Sequence, residues 1–167
     1  MNTQTTQRLL SLTLTVFRVV LGVFWLLQLT WKPPPKFGCP DGGFCFWLDQ
    51  EIQHPLVPLY AGFLSAVVRP NAILFGWITT VTEVFVSLSL IFGVFTRLGG
   101  LIGALWSLNL FVGLAAVPNE QPWYYLFMVM FNFLYFVLGG SGQLSVDRLR
   151  GWRIWWGRAD PLIAGAE

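Results

Sequence analysis

Apolar positions gather into four long stretches with almost no charge. Leu9–Trp31 carries only Arg18, Asn71–Thr96 carries only Glu83, and Leu98–Val117 and Trp123–Gly140 carry none. Each approaches or exceeds the ~20 residues that an apolar helix needs to cross a bilayer. Helix is the expected conformation, because an isolated strand leaves its backbone groups unpaired in lipid. The intervening stretch Pro55–Val68 is also uncharged, but it is short and holds Pro55 and Pro58. It reads as a short helix lying in the interface or dipping in from one side.

The connections are consistent with a bundle. Pro118-Asn119-Glu120-Gln121-Pro122 is a short rigid turn, which makes the third and fourth spans antiparallel neighbours. Gly99-x3-Gly103 opens the third span and allows close approach of another helix. The fold expected is all-α: a four-transmembrane-helix bundle with an extracytoplasmic loop containing the short interfacial helix. It forms one membrane domain over 1–167, with spans at about 9–31, 71–96, 98–117 and 123–140, outer loop 32–70, and an amphipathic tail over 141–167.

Composition reinforces the membrane assignment. Charged residues make up 11% of the 167 and apolar residues 55%, with 9 Trp and 15 Phe; typical soluble domains carry about 25% charged residues. Mean hydropathy is +0.63. A net charge of +2 without a basic block excludes nucleic acid as an expected partner. One His and two Cys build no common metal site, so no metal is expected. Four spans put both termini on one side. With that side cytoplasmic, Arg8, Arg97, Arg148, Arg150, Arg153 and Arg158 lie inside, against Lys32, Lys36 and Arg69 outside. Arg18 within the first span and the lack of a small-x-small site before Trp31-Lys32 predict that this span is retained rather than cleaved. The tail sets Leu149, Trp152, Trp155 and Trp156 against Arg150, Arg153 and Arg158, the pattern of an anchor on anionic lipid or a dock for a partner subunit.

Chemistry is expected where polar groups enter the spans. Arg18 and Glu83 lie near the middle of antiparallel spans and are expected to meet, with Asn109 and Asn132 from the other two spans at similar depth. One reading is a structural clasp. The other is a cavity in which Glu83 exchanges protons while Arg18 or an Asn binds a quinone carbonyl, the quinone being the expected cofactor. In the outer loop, Cys39 and Cys45 flank Pro-Asp-Gly-Gly-Phe. A structural disulfide is the favoured reading there and a redox-active pair the alternative, the spacing differing from the usual CxxC.

Arg18-x3-Gly22-Val-Phe-Trp25, Lys32, Glu83, the run Ser89-Leu-Ile-Phe-Gly93-Val-Phe-Thr-Arg97-Leu-Gly-Gly100 and Gly140-Ser-Gly142-Gln-Leu-Ser-Val-Asp147 occur in that order. In this the chain resembles the DoxX/DoxD family of small four-helix membrane proteins of bacteria and archaea. The resemblance implies a place in the cytoplasmic membrane. Its DoxD branch is the membrane subunit of thiosulfate:quinone oxidoreductase, which oxidises thiosulfate to tetrathionate and reduces quinone together with a DoxA-type part. Here that part would be a separate chain. Other members are accessory components of membrane complexes, so the alternative is a non-catalytic subunit packing against a larger respiratory or photosynthetic complex. A transporter is the remaining reading, with little room for a pore. Arg18, Glu83 and Arg97 fall on motif positions; the cysteine loop is not explained by the resemblance.

Overall fold

The computed structural model describes residues 3–138 and Val146. The end of the fourth expected span and the 141–167 tail, with its Trp and Arg residues and Asp147, lie outside the described residues apart from Val146. Among the described residues the chain is helical, with turns and loops between. Helix α1 runs Thr3–Leu27 and α2 runs Gly43–Gln53. The short α3, Pro58–Phe63, passes through a π turn at Leu64–Val68 and a 3-10 turn at Arg69–Asn71 into α4, Ala72–Phe92. Helix α5 spans Thr96–Leu114 and α6 spans Pro122–Leu138.

Among the described residues three helical runs are long and apolar enough to cross a membrane: Arg8–Leu27, Pro58–Phe92 and Thr96–Leu114. The stretch expected as a separate interfacial helix is helical from Pro58 and continuous with the second span. That run covers 35 residues, about 50 Å at 1.5 Å per residue, which exceeds a ~30 Å hydrocarbon core. Its 3-10 turn contains Pro70, which has no N–H to offer the helical ladder, and its π turn directly precedes that point. Helix α1 begins earlier than the apolar pattern predicts, because a helix continues past the hydrocarbon edge where exposed Thr5 and Thr6 meet water.

Antiparallel packing follows from small residues and turn chemistry. Gly93 adopts a left-handed conformation (φ 66°) at the end of α4, which only glycine takes at little cost. The Ser89 hydroxyl donates to the Val94 carbonyl at 2.7 Å, closing the turn into α5. Helices α5 and α6 make the tightest interface. A Cβ on Gly100 would lie 2.7 Å from both the Asn132 carbonyl oxygen and the Phe136 nitrogen. Across α1 and α4 the Ser87 hydroxyl donates to the Gly22 carbonyl at 2.8 Å. The main core gathers Leu21, Trp25, Val86, Leu90, Met128 and Tyr135 from α1, α4 and α6. A smaller cluster of Leu48, Leu64 and Val68 seats α2.

Lipid contact is written on the outward faces, where Leu74, Val81, Leu105, Met130 and Val137 are all exposed. Gly100→Val is expected to destabilise the bundle by about 1–3 kcal/mol, the range for overpacking. Gly62→Ala, with no atom within 4 Å of the added Cβ, is expected to leave the melting temperature in detergent near wild type.

Candidate functional site

The interior of the bundle holds an ion pair. Beyond α1 the backbone turns back on itself, with Gln28, Leu29 and Thr30 N–H groups donating to Trp25, Leu26 and Leu27 carbonyls. This turn aims Lys32 into the bundle. Its Nζ donates to Glu83 Oε1 at 2.6 Å, and each side chain is 1% exposed. The ammonium also lies 4.3 Å from the Trp31 ring centroid, where the ring quadrupole favours a cation. Glu83 projects from α4 one turn before Ser87, so the Ser87–Gly22 bond and the ion pair tie α1 and its following turn to the same helix face.

A second polar knot lies beside it. Trp25 Nε1 donates to Asn132 Oδ1 at 3.2 Å, and Asn132 Nδ2 donates to the Met128 carbonyl at 2.7 Å. A Cβ on Gly103 would strike the Asn132 amide and Val86 Cγ1, so α5 must present glycine there. Glu83 Oε2, Thr80 Oγ1 and Trp106 Nε1 are buried with no hydrogen-bond partner among the described residues. The interior therefore offers an acceptor, a hydroxyl and an N–H donor whose capacity the fold leaves unused.

The expected meeting of Arg18 and Glu83 does not occur; the partner of Glu83 is Lys32. Gly22 and Ser87 fix the register. Arg18 lies one turn to one side of that contact and Glu83 one turn to the other, roughly 12 Å apart along the axis at 1.5 Å per residue. Arg18 is 1% exposed and sits within electrostatic range of Tyr135, whose hydroxyl donates to the Leu14 carbonyl at 2.8 Å. Equating span midpoints with equal depth fails because close contacts such as Gly22 on Ser87, and not the ends of the apolar stretches, set the register. Asn109 is exposed on α5 and accepts a hydrogen bond from the Tyr60 hydroxyl at 3.0 Å, away from Asn132. The sequence reading missed Lys32 by counting it with the loop cations, although a lysine directly after an aromatic span end has a stem long enough to reach back.

The loop has its own chemistry. Cys39 and Cys45 are joined, with Cα atoms 5.1 Å apart. Cys45 lies in the first turn of α2 and is fully buried, while Cys39 is partly exposed. Arg69 donates to both carboxylate oxygens of Asp49, at 2.7 and 2.9 Å, and its Nη1 approaches Cys45 Sγ at 3.4 Å. A cleft of about 430 Å³ opens here, lined by both cysteines, Arg69, Asn71 and Leu74 among others. Glu51, further along α2, is pressed against Gly113 of α5, and burial pushes its carboxyl up to about 8.

The family model described as TQO small subunit DoxD matches residues 53–153. That is more than half of the chain and includes Arg69, Glu83, Asn109 and Asn132. Arg18, Lys32 and the cysteine loop precede the matched stretch. Searches of curated proteins and of solved structures return no match. The match and the apolar helices together make this a multi-pass membrane protein.

The half-buried Glu51, its carboxyl packed toward Gly113, generates a pH-dependence. The folded chain keeps on this carboxyl a proton that the unfolded chain releases near 4.5. The unfolded state then binds fewer protons, so this contribution to stability falls as pH rises from about 4.5 to about 8 and levels off above. Glu51→Gln is expected to flatten that decline in melting temperature between pH 5 and 8. An unchanged slope in the variant would contradict the burial of this carboxyl.

Proposed function

This chain belongs to the DoxD family, and on that premise we propose that it is the quinone-interacting membrane subunit of a thiosulfate:quinone oxidoreductase-type complex. It would form a four-span bundle with α6 as the fourth span and both termini in the cytoplasm of a bacterium or archaeon, and it would act with a partner chain. The observation that carries this reading is the buried Lys32–Glu83 pair with Glu83 Oε2 unpartnered. Ionised groups inside a bundle are costly, and they mark proton or substrate pathways by default.

The residues suit a quinone head group. A quinone carbonyl needs hydrogen-bond donors, and the Thr80 hydroxyl and Trp106 N–H are buried donors without another acceptor among the described residues. Aromatic Trp25 and Trp106 supply flat apolar walls of the kind such rings pack against. A bound quinone supplies the capacity to take two electrons. The chain's own part is to bind, orient and protonate. Thr80 and Trp106 would donate hydrogen bonds to the quinone's carbonyl oxygens, and Glu83 Oε2 would carry a proton. Lys32 offsets the charge of Glu83 when the carboxyl is ionised. Asn132 is a positioning residue, since its amide is spent on Trp25 and Met128. The role expected of Arg18 beside Glu83 passes to Lys32 in this reading, and Asn109, bonded to Tyr60, stands outside the site.

The experiment is gentle extraction of the complex followed by thiosulfate-dependent quinone reduction. Wild type is expected to turn over with its partner chain present. Glu83→Gln is expected to lose at least about tenfold in kcat while still co-purifying with the partner, the scale on which positioned acid–base groups act. Retained turnover in an assembled Glu83→Gln complex overturns the proton role. Wild-type protein that co-migrates with a larger respiratory or photosynthetic complex and never reduces quinone favours the accessory reading instead.

A further inference from the structure

We infer that the Cys39–Cys45 disulfide is a sulfur-exchange site with a fixed polarity: an anionic sulfur nucleophile of the thiosulfate class attacks Cys39, and Cys45 departs as a thiolate held by Arg69. The inference rests on the proposed oxidoreductase reading for its substrate, while the site itself rests on the loop's geometry. Three observations set the direction of attack. Cys39 is the partly exposed sulfur residue and Cys45 the fully buried one, so an incoming nucleophile reaches Cys39. Arg69 Nη1 stands 3.4 Å from Cys45 Sγ while its other two donors hold Asp49, so the guanidinium is fixed where negative charge would develop. Cys45 also lies in the first turn of the 11-residue α2, where the helix dipole favours an anion and lowers the pKa of a thiol. A leaving thiol of lower pKa departs faster.

The cleft supplies the approach. Both cysteines line it, and Arg69 and Asn71 line its polar side. Lys36, exposed and one turn before Cys39, accepts the Cys39 N–H on its carbonyl. Exposed Ile73 and Leu74 carry the same cleft onto the lipid-facing side of α4, so it lies between an aqueous donor and a lipid-borne acceptor.

The chemistry balances in three steps. The terminal sulfur of one thiosulfate dianion forms a bond to Cys39 Sγ as the Cys39–Cys45 bond breaks, and the electron pair leaves on Cys45 Sγ. A second thiosulfate attacks the sulfur that the first one brought; tetrathionate departs and Cys39 is left as a thiolate. Two thiosulfates have then lost two electrons, which reside on the two thiolates. A quinone takes those electrons with two protons, giving the quinol, and the disulfide re-forms.

The test uses the full-length protein in lipid nanodiscs, exposed to thiosulfate, quenched with iodoacetamide and mapped by peptide mass spectrometry. The expected result is a thiosulfate adduct on Cys39 with Cys45 alkylated. Arg69→Gln is expected to slow adduct formation about tenfold or more, and Arg69→Lys to recover part of the rate. An adduct on Cys45 with Cys39 alkylated overturns the polarity, and no adduct on either overturns the site. In the assembled complex, a Cys39→Ser/Cys45→Ser variant is expected to lose thiosulfate-dependent quinone reduction. Full activity in that variant overturns this inference and leaves the oxidoreductase reading standing. A wild-type complex that forms the Cys39 adduct yet reduces no quinone counts against the oxidoreductase reading and leaves the exchange site standing.

Discussion

Two opposite charges, Lys32 and Glu83, are removed from water and set 2.6 Å apart inside a bundle whose outer faces are apolar. Neither is tolerable there alone, because an unpaired ion in an apolar interior costs several kcal/mol. The pair therefore acts as a constraint on everything around it. The chain must turn back after α1, α1 must lie antiparallel against α4 in the register set by Gly22 and Ser87, and α5 and α6 must close over the remaining side. Gly100 and Gly103 permit that closure by admitting α6 to within backbone contact.

The same constraint sets the two proposed sites apart, one inside the bundle and one at the loop. In the bundle, Glu83 keeps one oxygen unpartnered beside Thr80 on its own helix, while Trp106 brings an unused donor from α5 to the same core. At the loop, the disulfide, Arg69 and the cleft form the proposed sulfur-exchange site. The turn carrying Lys32 continues into Phe37, which is buried against Gly76 of α4, and Phe37 and Gly38 accept backbone hydrogen bonds from Phe44 and Gly42 around the disulfide loop. In the proposed reading, sulfur oxidation at the loop and quinone reduction in the bundle are joined through this short run of chain.

Much of the fold was legible because membrane helices are dictated by composition: Leu98–Val117 became α5 within a few residues, and the Pro118–Pro122 turn did bring α5 and α6 together. The family was legible in motif order. Depth was not. Arg18 and Glu83 each sit near the centre of an apolar stretch, but helices do not begin where apolar residues do, and the register is set by close contacts such as Gly22 on Ser87 and Ile91. Lys32 was hidden because a lysine at a span end ordinarily snorkels toward water; here the turn points it inward. Asn109 looked equivalent to Asn132 by position along its span, yet the two face different neighbours, Tyr60 and Trp25. The Arg69–Cys45 contact joins residues 24 apart and depends on how α2 packs, for which the sequence carries no short-range signal.

The central claim is that Lys32 and Glu83 stabilise the bundle as a pair. A double-mutant cycle on unfolding in detergent measures this directly. Lys32→Met and Glu83→Leu are each expected to cost about 3–5 kcal/mol, and the double variant to lie close to wild type, as for other buried pairs replaced by apolar residues. Single-variant losses that simply add in the double variant would mean the two charges do not depend on each other, and the account would fail at its foundation.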